Sequence, residues 1–122
     1  MELALVLPVF IVLVFGLIEF SYLFAQNNEV RFIAREGARA ASVGDSASAA
    51  ICGNITLLDD AGYAFGGGGA VADGGSVGQV TVTAPYQTLT GLFDGMLGGI
   101  NLVSTHAFFA EADVSIPGGG SC

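Results

Sequence analysis

The chain has 122 residues, and its eleven acidic side chains face only three basic ones, all of them arginine. The arginines lie before residue 40, so the remainder carries no basic side chain other than His106. This distribution argues against nucleic acid as a partner, because nucleic-acid-binding surfaces are rich in Lys and Arg. The length leaves room for one long helix and one small domain of about 75 residues.

The first 42 residues predict a single long helix with two different halves. From Leu3 to Ala25 the chain is apolar apart from Glu19, Ser21, one proline and one glycine, which is enough to cross a bilayer. The helix then continues as a polar, arginine-bearing segment to Ser42. A helix of about 40 residues is roughly 60 Å long, twice the thickness of a membrane core, so half of it must stand outside.

Three interpretations of the apolar half remain open. A secretory signal peptide should have a basic start, and this chain has Glu2 there. An ordinary membrane anchor usually carries flanking Lys or Arg on its cytoplasmic side, and none is present here. The third interpretation is a helix that is first held in the membrane and later packs against copies of itself.

Two carboxylates and two weak points lie in this half of the helix. An ionised carboxylate at hydrocarbon depth is costly without a partner. The amino group of Met1, from the same or an adjacent copy, could neutralise Glu2. Glu19 has no cation within a turn, so we expect it to be protonated, to reach water, to meet another subunit or to lie at the membrane interface. Pro8 removes one helical hydrogen bond and Gly16 weakens the helix, so we expect local bending or loosening.

The second half of the helix carries a stripe of small and apolar residues at three-to-four spacing, on which we expect a sheet to lie. The stripe comprises Val30, Ile33, Ala34, Gly37, Ala38 and Ala41. Arg31, Arg35 and Arg39 repeat every four residues and repel one another, with local relief only from Glu36. Their expected partners, in the same domain or a neighbour, are Asp59, Asp60, Glu111 and Asp113. A solvated basic face near anionic lipid head groups is the alternative.

A second helix is predicted after Gly44, capped by Asp45 or Ser46 and running to about Ala61. Its expected buried side comprises Ala47, Ile51, Ile55 and Leu58. The glycine-rich residues 62 to 78 predict a loop. This loop lacks the lysine of a phosphate-binding loop, and Asp59, Asp60 and Asp73 lack the regular spacing of a calcium loop. We therefore expect neither a cofactor nor a metal.

Clean alternation over residues 79 to 86 predicts a strand, the strongest in the chain. Thr88 can then cap a short helix with an apolar stripe, comprising Leu89, Leu92, Phe93, Met96 and Leu97, that reads as core. A second strand is expected from about Asn101 to Val114, anchored by Leu102, Phe108 and Phe109. Its poor alternation indicates a bulge or burial on both faces.

Cys52 and Cys122 bracket nearly the whole C-terminal part, and a disulfide between them fits a domain in an oxidising compartment. Two unpaired buried thiols are the alternative. His106 is the only histidine, and no glycine-framed serine or reactive cysteine motif accompanies it. We expect an ordinary strand histidine and no enzymatic activity.

The opening MELALVLP, the following IEFSYLFAQ and the later AREGARAA together resemble the TadE-like proteins of tight-adherence (Flp-type) pili, within the type IV pilin group. VTVTAPYQTLTGLF and GGINLVSTHAFFAE look like the later strand, helix and strand of that family. The resemblance implies an α+β fold. A long hydrophobic helix (residues 1–44) would carry a small head (residues 45–122) with two short helices and a small antiparallel sheet.

The resemblance also implies a function and a route. A prepilin would be held in the inner membrane, trimmed by a prepilin peptidase, and polymerised by pilus assembly machinery into an extracellular homo-oligomeric filament used in surface attachment. Glu2 would pair with the amine of a neighbour, and either Met1 is the processed end or upstream residues precede it. The alternatives are a minor membrane-resident assembly component, or a membrane-anchored surface-binding domain that does not polymerise.

Overall fold

One long helix carries a four-stranded antiparallel sheet in a computed structural model, which describes residues 2–70, 74–111 and 115–122. The helices are α1 (Glu2–Ser42), α2 (Ala47–Cys52) and α3 (Asp94–Leu97). The strands are β1 (Gly62–Ala70), β2 (Ser76–Pro85), β3 (Asn101–Ala110) and β4 (Gly120–Ser121), in the spatial order β3-β2-β1-β4. The predicted α+β class, with a long apolar helix, two short helices and a small antiparallel sheet, is confirmed.

Helix α1 has the predicted length, 41 residues, and continues without interruption through Pro8 and Gly16. It ends where Gly44 takes a positive φ of 75°, a conformation that glycine adopts without strain. Whether Pro8 and Gly16 let the helix bend or stretch stays a prediction.

The predicted stripe of α1 packs on the sheet. Val30, Ile33 and Ala34 are fully buried, as are Val80 and Val82 on the inward face of β2. On the same face, Gly37 permits a close approach of α2 to α1, because a Cβ there would lie 2.7 Å from the side chain of Ile51. The head therefore shares its hydrophobic core with the second half of α1.

The predicted loop over residues 62–78 is wrong, because most of this stretch lies in β1 and β2. Strand β1 pairs with β2 from Gly62 opposite Thr83 to Ala70 opposite Ser76, with a register shift between Gly67 and Gly69. Ladder hydrogen bonds use only the backbone, so glycines can form them despite their low strand propensity. Asp73 lies outside the described residues.

The second helix is shorter than predicted. Ser46 caps it by accepting a hydrogen bond from the Ala49 amide, but it ends at Cys52 instead of near Ala61. The amides of Thr56 and Leu57 donate to the carboxylate of Glu29 in α1. A longer α2 would use those amides internally, so the contact with α1 replaces further helix.

The predicted helix after Thr88 is reduced to the four residues of α3, and most of its apolar stripe is not core, although Leu97 is partly buried against the core. Leu89, Leu92 and Met96 are 56%, 67% and 82% exposed. The Thr88 hydroxyl donates to Asp94 instead of capping a helix. The physical reason is Gly91, whose positive φ of 72° lies outside the right-handed helical region.

Strand β3 is more regular than predicted. It pairs with β2 without a register shift, from Asn101 opposite Pro85 to Ala110 opposite Ser76. Its inward face alternates as a strand should, but it includes Ser104 and His106, and these polar residues hid the pattern. Leu102 and Phe108 are buried as expected, whereas Phe109 is half exposed. Residues 112–114 of the predicted strand lie outside the described residues.

The C-terminus is tied to the head covalently and through the sheet. Cys52 and Cys122 form the predicted disulfide, with their Cα atoms 5.4 Å apart. Strand β4 pairs with Gly62 and Tyr63 at the start of β1. The Cys122 amide donates to the carbonyl of Ala61 at 2.9 Å. Residues 120–122 thus cover the start of the β1 edge of the sheet.

Candidate functional site: the exposed rod and its junction with the head

The first part of α1 has almost no contact with the head. From Leu3 to Ile18 nearly every side chain is exposed, including Leu3 at 80% and Val9 at 67%. By length and composition, α1 is the one helix among the described residues that could cross a membrane. We call residues 3–18 the rod. Such a surface must be covered by lipid or by protein, because water is a poor solvent for it.

Of the two carboxylates that bound the rod, only Glu19 has a described side chain. Glu19 is 1% exposed and accepts four hydrogen bonds from its own chain. The donors are the Tyr86 hydroxyl (2.8 Å), the Leu89 amide (3.0 Å), and the amide (3.2 Å) and hydroxyl (2.8 Å) of Thr90. Burial and the hydrogen bond to Glu19 raise the pKa of Tyr86 to about 12.

The structure gives Glu19 neutral donors from the head, partners that none of the sequence-based alternatives named. Whether Glu19 also lies at the membrane interface or meets another subunit stays a prediction. An ionised carboxylate only accepts hydrogen bonds, so four converging donors match it without a cation. A role of Glu19 in subunit assembly stays a prediction.

Two further polar side chains on the same face of α1 bind the head in the same way. The side-chain amide of Gln26 accepts from the Gln87 amide (3.2 Å) and donates to the Gln87 carbonyl (3.1 Å). Glu29 accepts from the Thr56 hydroxyl (2.7 Å) as well as from the two amides named above. These contacts, with that of Glu19, hold two loops of the head against the helix.

Glu19, Gln26 and Glu29 form a row of buried polar side chains along α1, which we call the polar row. The sequence analysis did not predict it, although the sequence contains a pattern that indicates it. Glu19, Leu23 and Gln26 extend the stripe that begins at Val30 back along the same face, at spacings of four and three. Buried polar groups are almost always hydrogen-bonded. A polar residue on an apolar stripe therefore indicates a partner in the packed domain.

The three arginines lie on the opposite, exposed side of the helix. Arg39 pairs with Glu36 at 3.4 Å, as the spacing predicted. That is the one salt bridge among the described side chains of residues 3–67, 74–111 and 115–122, so the expected partners Asp59, Asp60 and Glu111 do not pair with Arg31 or Arg35 within the chain. Asp113 lies outside these ranges, and pairing between subunits stays a prediction.

Other candidate residues stay apart from one another. Glu2 begins α1, Met1 lies outside the described residues, and their pairing with a neighbouring subunit stays a prediction. His106 lies on β3 opposite Val80. No group of three His, Cys, Asp or Glu side chains that could hold a metal is found in the part of the chain that the structure describes.

Comparison with known proteins concerns the same helix. The family model of the TadE-like protein matches residues 1–39, which cover the rod, the polar row and the three arginines. No curated protein and no solved structure matches the chain. The family match indicates a component associated with Tad pili, and that family is in general non-enzymatic. The N-terminal segment of this chain, residues 1–39, is therefore TadE-like, as the resemblance of its opening stretch predicted.

Proposed function

We propose that the chain is a structural pilin subunit of the type IV pilin group, which polymerises through α1 into an extracellular Tad-like pilus used in surface attachment. The observation that carries the proposal is the rod. Residues 3–18 are apolar, helical and largely exposed, while the head packs mainly from Glu19 onward and reaches back to Gly16 only through Phe93. A helix with this division can reside in the inner membrane as a precursor and later form the core of a filament.

Moving the rod from lipid into a bundle of neighbouring rods needs a favourable contribution from polar groups. Lipid tails are as apolar as leucine, so packing rods together gains little from the hydrophobic effect itself. A charge pair inside the bundle would add a contact that lipid cannot offer, and Glu2 with the N-terminal amine of a neighbour is that pair in our proposal. Glu19 already has four donors in its own chain. In this proposal Glu2, rather than Glu19, is the carboxylate that takes its partner from assembly.

The test is Glu2→Gln in cells that make the pilus, with Asp45→Asn as a matched control. Both changes replace a carboxylate by an amide, and Asp45 is exposed on the head. We expect Glu2→Gln to abolish sheared surface filaments while the protein stays in the membrane fraction, and Asp45→Asn to leave filaments intact. Wild-type amounts of filament from Glu2→Gln would overturn the assembly role of this residue and favour a surface-binding domain that does not polymerise.

A minor, membrane-resident component that primes or caps a fibre fits the same geometry, because the rod alone suffices to hold the chain in a bilayer. Mass spectrometry of sheared filaments separates the two functions. A structural subunit should be the most abundant protein of the filament, whereas trace amounts would favour the minor component.

A further inference from the structure

The segment from Thr88 to Leu97, which we call the foot, exposes apolar side chains instead of burying them. Leu89, Leu92 and Met96 are each more than half exposed, and Met96 reaches 82%. The foot is not detached from the molecule, because the Leu89 and Thr90 amides bind Glu19. Its exposed apolar surface thus has a fixed place on α1.

That place is the end of the rod. The ring of Phe93 lies beside Gly16, where an added Cβ would be 4.0 Å from the ring. Leu89 lines one groove with Leu17 and Ile18, and Phe93 and Leu97 line a second with Gly16 and Phe20. The apolar surface of the foot is therefore continuous with that of the rod.

The length of the rod decides the depth of the foot. Leu3 to Ile18 is the uninterrupted apolar run between Glu2 and Glu19, and it measures about 24 Å at about 1.5 Å per residue. The hydrocarbon core of a bilayer is about 30 Å thick. A bilayer that covers the rod must therefore reach the level of Glu19, where the foot lies.

We infer that, while the chain is in the membrane, the foot lies in the boundary layer of the bilayer with Leu89, Leu92 and Met96 against lipid. This inference rests on the membrane stage of the proposed function. The foot would then serve two purposes: it shields Glu19 from hydrocarbon and seats the head on the membrane surface. The nearest arginine, Arg31, lies about 18 Å farther along the helix, and the foot itself carries Asp94. Its contact with lipid is therefore apolar and does not require anionic head groups.

A single introduced tryptophan can report this contact, because the chain has none of its own. Met96→Trp places the probe in the foot. Val9→Trp places it in the rod, and Val43→Trp at a residue that is 71% exposed beyond the end of α1. Each full-length variant is reconstituted at low protein-to-lipid ratio in phosphatidylcholine vesicles without bromine, or with bromine on the lipid acyl chains either near the head group, for the foot, or near the bilayer centre, for the rod. We expect brominated lipid to quench the tryptophan fluorescence of Val9→Trp and of Met96→Trp. The fluorescence of Val43→Trp should not be changed by brominated lipid, at high salt or at low salt.

The three variants separate the ways in which the inference can fail. If Val9→Trp is quenched but Met96→Trp emits like Val43→Trp, the foot is in water and the inference is overturned while the membrane stage stands. If Met96→Trp emits at shorter wavelength without quenching, the foot packs against another copy of the chain, which also overturns it. If Val9→Trp itself is not quenched, the membrane stage and the inference fall together.

Discussion

Replacing Tyr86 by Phe removes one donor from Glu19 and changes little else, so it measures how strongly the head is held to the helix. The Tyr86 ring is 5% exposed, and its hydroxyl lies 2.8 Å from the carboxylate. A hydrogen bond to a charged group contributes about 1.5–3 kcal/mol to folding. We expect Tyr86→Phe to lower the free energy of unfolding by about that amount.

The raised pKa of Tyr86 corresponds to a free energy of similar size, and it predicts that the stability of the head depends on pH. Its rise from 10.0 to about 12 corresponds to about 2 to 3 kcal/mol that favours the neutral hydroxyl in the folded state, and burial is the largest cause of this rise, ahead of the hydrogen bond to Glu19. Because the folded pKa lies above the unfolded one, this stability is complete below pH 10.0 and is lost as the pH rises towards about 12. Tyr86→Phe should lack this alkaline loss.

The assay is denaturant unfolding in detergent, followed by near-ultraviolet circular dichroism at neutral pH and again above pH 10. Tyr63→Phe is the control, because the Tyr63 hydroxyl forms no hydrogen bond within the described ranges. We expect the control to stay within about 0.5 kcal/mol of wild type. If Tyr86→Phe is no less stable than Tyr63→Phe, Glu19 does not hold the head in the way described.

Two further predictions concern packing and covalent closure. Gly37→Ala places a Cβ against Ile51, and we expect a loss of about 1–3 kcal/mol in unfolding free energy; Gly95→Ala, which meets open space, should cost far less, and equal effects would contradict the close approach. Cys122→Ser removes the disulfide to Cys52 and should cost about 2–5 kcal/mol. A reductant should destabilise wild type but not this variant, and equal unfolding midpoints for the two oxidised proteins would refute the contribution of the bridge.

Local patterns in the sequence sufficed for the elements that depend on one periodicity. The length of α1, the stripe from Val30 to Ala41 and the strand around Val80 follow from spacings of three to four or of two residues. The disulfide followed from the positions of two cysteines. In each case burial or pairing agrees with a pattern that is visible within a short window.

The remaining elements depend on contacts between distant parts of the chain. Strand β1 forms because β2 offers backbone partners to a glycine-rich segment that has little strand propensity of its own. The helix predicted after Ser46 is cut short because Glu29, far away in sequence, takes amides that this helix would have used. The helix predicted after Thr88 is interrupted because Gly91 takes a positive φ of 72°, while Glu19 binds the Leu89 and Thr90 amides that precede it. The spacing of Glu19 and Gln26 along α1 indicates that the polar row is buried, but the sequence does not indicate which residues of the head are its hydrogen-bond partners.

The covalent ring closed by Cys52 and Cys122 has a consequence for a head that meets proteases. All four strands lie between these cysteines. A single cut anywhere in that stretch opens the backbone yet leaves both fragments joined through sulfur, so the nicked head remains attached to its helix. Such a molecule would run as an intact chain on a non-reducing gel and separate into two pieces only after reduction.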